Sequence, residues 1–159
     1  MAETSNPFKK MVETKIFNMR DVPEMVYGAG GHHAFGGSLL CLVGVQDYCP
    51  AYNMVVRVQK INPGAVQLYH YHEVREQVMI CLEGKGTQLI EVPGAPCGKE
   101  FPLEKDTVTF LPAFVKHRTV NTSDKELKML IIDAPYRGER THNFDENELK
   151  KGILTEIEV

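Results

Sequence analysis

Five residues hold the types from which a metal-based chemistry is built: His70 and His72 around Tyr71, then Glu76-Gln77, and much later His117. A neutral imidazole offers a ring-nitrogen lone pair to a divalent ion, and three of them with one oxygen donor make a complete set of protein ligands. With His70, His72, Gln77 and His117 all neutral, a bound ion keeps its full double charge, where a carboxylate ligand would reduce it. Such a centre polarises a bound carbonyl and lowers the pKa of bound water. An octahedral ion held this way keeps two open positions, enough for a bidentate substrate or for substrate plus dioxygen. The donors suit one divalent transition metal per chain, Fe, Mn, Ni, Zn or Co, and do not rank them.

Bringing these donors together requires strands. Side chains two apart on a strand share a face, so His70 and His72 enter one cavity if their segment is extended. Short strand-like runs separated by turn residues fill positions 38–134. Met54–Ile61 stops at Asn62-Pro63-Gly64, Val66–His72 follows, and Val78–Leu82 ends in Glu83-Gly84-Lys85-Gly86. Thr87–Val92 runs into a longer loop at Pro93–Gly98, then Thr107–Leu111, His117–Val120 and Leu127–Ile132 complete the series. Strands repeating at about ten residues with turns between them predict an all-β, closed or double-sheet antiparallel architecture. The one helix expected covers Asp145–Lys151, with Asn143 as its cap and Gly152 as its stop.

Strand parity assigns further roles. Met79 and Cys81 share the face of Gln77 and, with Leu68 and Thr119, are expected to line a soft, mostly apolar cavity. Tyr69 and Tyr71 fall on the opposite face. Only one of Glu76 and Gln77 can point inward, so Glu76 is the alternative fourth ligand. Arg57 and Arg118 are anion-binding candidates if either turns inward, and Asp133 and Tyr136 sit where the last strand meets the cavity mouth. His32, His33 and His142 read as surface or structural histidines. No local signature of a serine or cysteine nucleophile is present.

The chain has 159 residues, 43% apolar and 25% charged, with a net charge of −3, the composition of an ordinary globular protein. That charge gives no reason to expect nucleic acid or an anionic membrane as partner, and no apolar run reaches the ~20 residues of a membrane span. Cys41, Cys49, Cys81 and Cys97 have no metal-knuckle spacing and read as free thiols of a cytoplasmic protein. The expected organisation is an N-terminal extension over 1–37, a β-barrel over 38–136 and a C-terminal extension over 137–159. The glycine-rich stretch 28–37 reads as a surface loop, with a mobile lid as the other reading, and lacks the residues of a phosphate loop. Residues 153–159 read as one more edge strand, within the chain or across a dimer.

Two stretches resemble the paired motifs of the cupin superfamily. Gly64, five residues, His70-Tyr71-His72, four residues, Gln77, six residues and Gly84 follow its first motif, with glutamine where glutamate is usual. Pro112, His117 and Asn121 follow its second motif, with Phe114 in place of a glycine and Lys116 where proline is common. The spacing to the Gly84 turn favours Gln77 over Glu76 as the family's fourth ligand. A bulky Phe114 is expected to narrow the cavity mouth. The resemblance covers about 54–132 and implies a double-stranded β-helix (the jelly-roll cupin barrel) with short terminal extensions. It also implies a homodimer, with strand exchange by a segment such as Lys15–Met19.

The resemblance implies a metal-dependent enzyme acting on a small oxygenated organic molecule. Among such enzymes, dioxygenase chemistry is slightly favoured over that of a non-redox isomerase, lyase or decarboxylase. The alternative is a cupin that binds a metal or small ligand without catalysis.

Overall fold

The computed structural model describes residues 15–27, 36–44, 47–135 and 140–158. Among the described residues, thirteen strands form two sheets. The larger sheet runs β1 (Glu24–Tyr27), β2 (Gly37–Gly44), β4 (Val55–Ile61), β11 (Leu127–Ala134), β6 (Glu76–Glu83), β9 (Val108–Leu111), with β3 (Cys49–Pro50) pairing β2. The smaller sheet runs β13 (Glu156–Ile157), β12 (Thr141–Phe144), β5 (His70–His72), β10 (His117–Val120), β7 (Gly86–Val92), β8 (Ala95–Leu103). Every pairing is antiparallel except β2 with β3. This is the expected all-β double-stranded β-helix.

The sheets face each other across a core in which Met79, Cys81, Leu111, Leu127 and Met129 of the larger sheet meet Leu103 and Ile90 of the smaller. β6 shows why the sequence folds this way: buried Gln77, Met79 and Cys81 alternate with more exposed neighbours, the period of a strand with one buried face. Gly84 ends that strand at φ +91°, and a Cβ there would lie 2.6 Å from the carbonyl oxygen of Glu126. Both the backbone angle and the close approach require glycine. Asn121 is fully buried, donating to the carbonyls of Ile61 (2.8 Å) and Lys125 (2.7 Å), so the asparagine of the second motif ties a turn to β4.

Two further clusters cover the outer faces. Val22, Leu42 and Val58 pack with Phe17 and Tyr48 outside the larger sheet, and Tyr69, Leu89, Phe144 and Leu149 pack outside the smaller.

Several expectations are corrected. Pro93–Gly98 is a tight hairpin rather than a long loop, and β8 begins at Ala95. Only His70–His72 of the run 66–72 is strand; Val66 makes an isolated bridge to Val120. The helix α1 (Glu146–Leu149) is capped by Asp145, whose side chain accepts from the Asn147 and Glu148 amides at 2.8 Å. Asn143 instead lies within β12, because its backbone is committed to pairing with His70 and Ile157. Residues 15–18 form no strand, and a short 3-10 turn follows at Met19–Asp21. His32, His33, Tyr136 and the stretch 28–35 lie outside the described residues.

Candidate metal centre

β5 and β10 are neighbours, and their register places His70 opposite His117. His72 shares the inward face of β5 two residues on. The ring centroids lie 4.2 Å (His70–His117), 4.8 Å (His70–His72) and 5.4 Å (His72–His117) apart. One nitrogen from each ring falls within 4.8 Å of the others, and all three residues are buried, so the cluster could hold a metal ion.

The chemistry of the donor set fits such an ion. Nδ1 of His70 lies 2.6 Å from the Leu68 carbonyl and Nδ1 of His117 lies 2.9 Å from that of Val115. A carbonyl only accepts, so these contacts place the proton on Nδ1 of each neutral ring and make Nε2 the ligand-competent atom. Nδ1 of His72 lies 3.1 Å from the Thr141 hydroxyl.

Beside the histidines runs a buried polar relay. Gln77 donates through Nε2 to Oδ1 of Asp133 at 2.8 Å, and Arg75 pairs through Nη1 with Oδ2 at 3.2 Å. Nη2 of Arg75 lies 3.0 Å from both ring nitrogens of His72, so the guanidinium sits against that ring. Burial pushes the Asp133 carboxyl above the usual range, against the opposing pull of Arg75 and Gln77. With its nitrogen held by Asp133, the Gln77 amide has its oxygen left for a metal or substrate.

A cavity of about 140 Å³ opens beside this cluster, bordered by His70, His72, Gln77, Arg75, Asp133, Arg57, Gln59, Gln67, Thr141 and the aliphatic Leu39 and Ile131. Its wall is therefore polar, which corrects the expectation of a soft apolar pocket. Met79, Cys81 and Thr119 are buried on the inner face but lie deeper, outside this wall: Met79 and Cys81 join the apolar core, and Thr119 bonds Gln88 at 3.2 Å. Leu68 is not on the wall either. The irregular backbone before β5 breaks strand parity and presents Gln67 instead. Glu76 is exposed while Gln77 is buried on the histidine side.

Arg57 turns inward, whereas Arg118 pairs with Glu146 away from the cavity. Phe114 adopts φ +67°, the left-handed region that accounts for glycine at this place in the second motif. The residue is 62% exposed, its ring lies 6.1 Å from that of Tyr71 between centroids, and it is not on the cavity wall, so it does not narrow the cavity. Tyr71 also stacks on His142 at 4.5 Å on the outer face.

Sequence reasoning missed Arg75, Gln59, Gln67 and Thr141. The alternation Val56-Arg57-Val58-Gln59 carried a readable signal for a polar inner face at that end of β4. Arg75 lies in the bend between β5 and β6, where no periodicity applies.

Residues 57–133 match the family model Cupin_2, a cupin domain. Over these residues the chain is a cupin. Two curated relatives are glucose-6-phosphate isomerases. That of Pyrococcus abyssi is 34% identical over 88 residues, 55% of this cupin and 46% of the relative. That of Pyrococcus horikoshii is 35% identical over 89 residues, 55% of this cupin and 47% of the relative. The cupin thus spans about half the length of the curated relatives it matches. Among solved structures, a sugar phosphate isomerase from Silicibacter pomeroyi superposes with a TM-score of 0.66 at 20% identity, covering 82% of each chain. The polyketide cyclase RemF from Streptomyces resistomycificus superposes at 0.67 and 18% identity, covering 88% of this cupin and 93% of that chain. At these identities the structures speak for the fold alone. The slight preference for dioxygenase chemistry gains no support from these relatives.

Proposed function

We propose that this cupin is a metal-dependent, non-redox enzyme that isomerises a small, highly oxygenated substrate of the sugar or sugar-phosphate class. The observation that carries this reading is the polar wall beside the three histidines, formed by amides, guanidinium groups and one carboxylate. Such a wall solvates hydroxyl and carbonyl oxygens and disfavours an apolar molecule. The glucose-6-phosphate isomerase relatives support the same reaction class.

His70, His72 and His117 would hold the ion, with the Gln77 amide oxygen as fourth donor. When bound, a divalent ion supplies a Lewis acid that polarises a substrate carbonyl. Both oxygens of Asp133 accept hydrogen bonds from the protein, so this residue positions Gln77 and Arg75 rather than exchanging protons with substrate. Arg75 in turn fixes the tilt of the His72 ring, and Thr141 holds its Nδ1 edge. Arg57, paired with Asp47 at 3.4 Å, borders the cavity and offers guanidinium N–H donors to substrate oxygens.

The exposed Val108 (62%) and Phe110 (57%) on edge strand β9 support a homodimer through the outer face of the larger sheet. No helix among the described residues is long and apolar enough to cross a membrane. Four free thiols support a reducing compartment such as the cytoplasm.

Proton exchange in deuterated water tests the reaction class. Metal-loaded protein given a panel of aldose and ketose phosphates should incorporate deuterium beside the carbonyl of one pair and interconvert its members, with no oxygen uptake. Stoichiometric oxygen consumption, or metal binding without any exchange across the panel, contradicts the reading.

A further inference from the structure

Gln59 and Gln67 belong to different sheets' worth of chain, one on β4 and the other just before β5, yet both border the same cavity. They are only 3% and 5% exposed. The amide oxygen of each is buried and has no hydrogen-bond partner in the protein. A buried acceptor left unpartnered forfeits the bonds it makes with water, and native structures hold few of them. Two in one small cavity therefore call for donors that enter from outside.

The chemistry of the missing donors is restricted. A carbonyl oxygen accepts and cannot donate. Carboxylates and phosphates at neutral pH also only accept, and a hydrocarbon does neither. Hydroxyl groups donate, and their own oxygens accept from the neighbouring guanidinium groups. Arg75 and Arg57 are already paired with Asp133 and Asp47, so this wall carries little uncompensated charge to favour an anion over a polyol.

We infer that Gln59 and Gln67 form a hydroxyl-recognition subsite that selects a substrate with adjacent hydroxyl groups over a carboxylate or apolar molecule of the same length. This deepens the proposed function and rests on it for the reacting end, which the histidines would take. The space of about 140 Å³ is close in volume to the ~150 Å³ cavities that hold one benzene-sized molecule, so it admits a short polyol or one end of a longer one. Discrimination of this kind is strong, because an analogue lacking the hydroxyl leaves both buried oxygens unpaired.

Ligand-observed NMR titration with erythritol and with succinate, each with and without saturating zinc, tests the subsite in wild type, Gln59→Met and Gln67→Met. Methionine conserves length and volume while removing the acceptor. Wild type should bind erythritol at least tenfold tighter than succinate, and each variant should lose erythritol binding by tenfold or more. Both ligand-free variants should melt no lower than wild type, since each loses an unpartnered polar atom. Succinate binding as tightly as erythritol, unchanged erythritol binding in both variants, or none in wild type would overturn the subsite. Variants melting well below wild type would do the same, by showing the amides to be structural. Erythritol binding in a protein that takes up no zinc would sink the metal reading and leave the subsite standing.

Discussion

The two ends of the barrel interior are built from the same strands and could hardly be less alike. On β6 the inward residues run Gln77, Met79, Cys81; on β11 they run Asp133, Ile131, Met129, Leu127; on β4 they run Arg57, Gln59, Ile61. Between β6 and β11 the register pairs Asp133 with Gln77 and Ile131 with Met79, and at the far end of β4 it pairs Leu127 with Ile61, while Arg57 and Gln59 stand beside Ile131 and Met129. One end is thus a polar cup holding the histidines, and the other is a dry plug. The plug supplies the area burial that stabilises the fold, which lets the cup bury a carboxylate, the Arg75 guanidinium and three amides that contribute little net stability of their own.

The sharpest way to break this contrast is to disturb the cup's buried ion pair of Arg75 with Asp133. Asp133→Ala leaves the Arg75 guanidinium without its compensating charge and frees the Gln77 amide. A loss of about 3–5 kcal/mol is expected in urea unfolding. A loss below about 1 kcal/mol would mean that the cup is solvated rather than sealed.

The plug is tested by Leu127→Ala, which removes a fully buried side chain from the main cluster. The expected cost is about 2–5 kcal/mol by the same measurement, with the histidine cluster still able to bind metal. Metal binding lost in a folded variant would show that the two ends are not separable.

Smaller effects lie outside the barrel. Asp145→Ala removes the cap of α1 and should cost about 1 kcal/mol in thermal unfolding, with Asn143→Ala disturbing β12 rather than the helix. His142, behind Tyr71, hydrogen-bonds Glu156 and Glu73 on its two sides, and these bonds raise its pKa above the ordinary value of 6.5. A raised folded-state pKa stabilises the fold while the ring is protonated. The contribution is therefore present below about pH 6.5 and lost as pH climbs through the folded value. The Tm difference between wild type and His142→Gln should shrink over that climb; a difference independent of pH would assign the effect to stacking on Tyr71 alone.

Much of this arrangement could be read from residue order, and the failures have a common cause. Alternation located β6 and allowed only one of Glu76 and Gln77 inward, the spacing to the Gly84 turn chose Gln77, and the second motif singled out His117 as the third imidazole. Where the chain is regular, a period of two suffices. Gln67 and Arg75 escaped because each lies where the backbone leaves the ladder, just before β5 and in the bend after it. Leu68 was expected in place of Gln67 for the same reason. The polarity of the cup was missed through β4, whose Arg57 and Gln59 resemble a solvated face in sequence, although in the fold both border the cavity.

Metal content by mass spectrometry, with thermal or urea unfolding at rising zinc, compares wild type against His70→Ala and His117→Ala and tests the centre most directly. Wild type should bind about one ion per chain and gain roughly 2.7 kcal/mol at a hundredfold excess over the dissociation constant. Both variants should lose the ion and the gain while remaining folded. Wild type that takes up no ion, or variants that bind and melt as wild type does, would contradict the account.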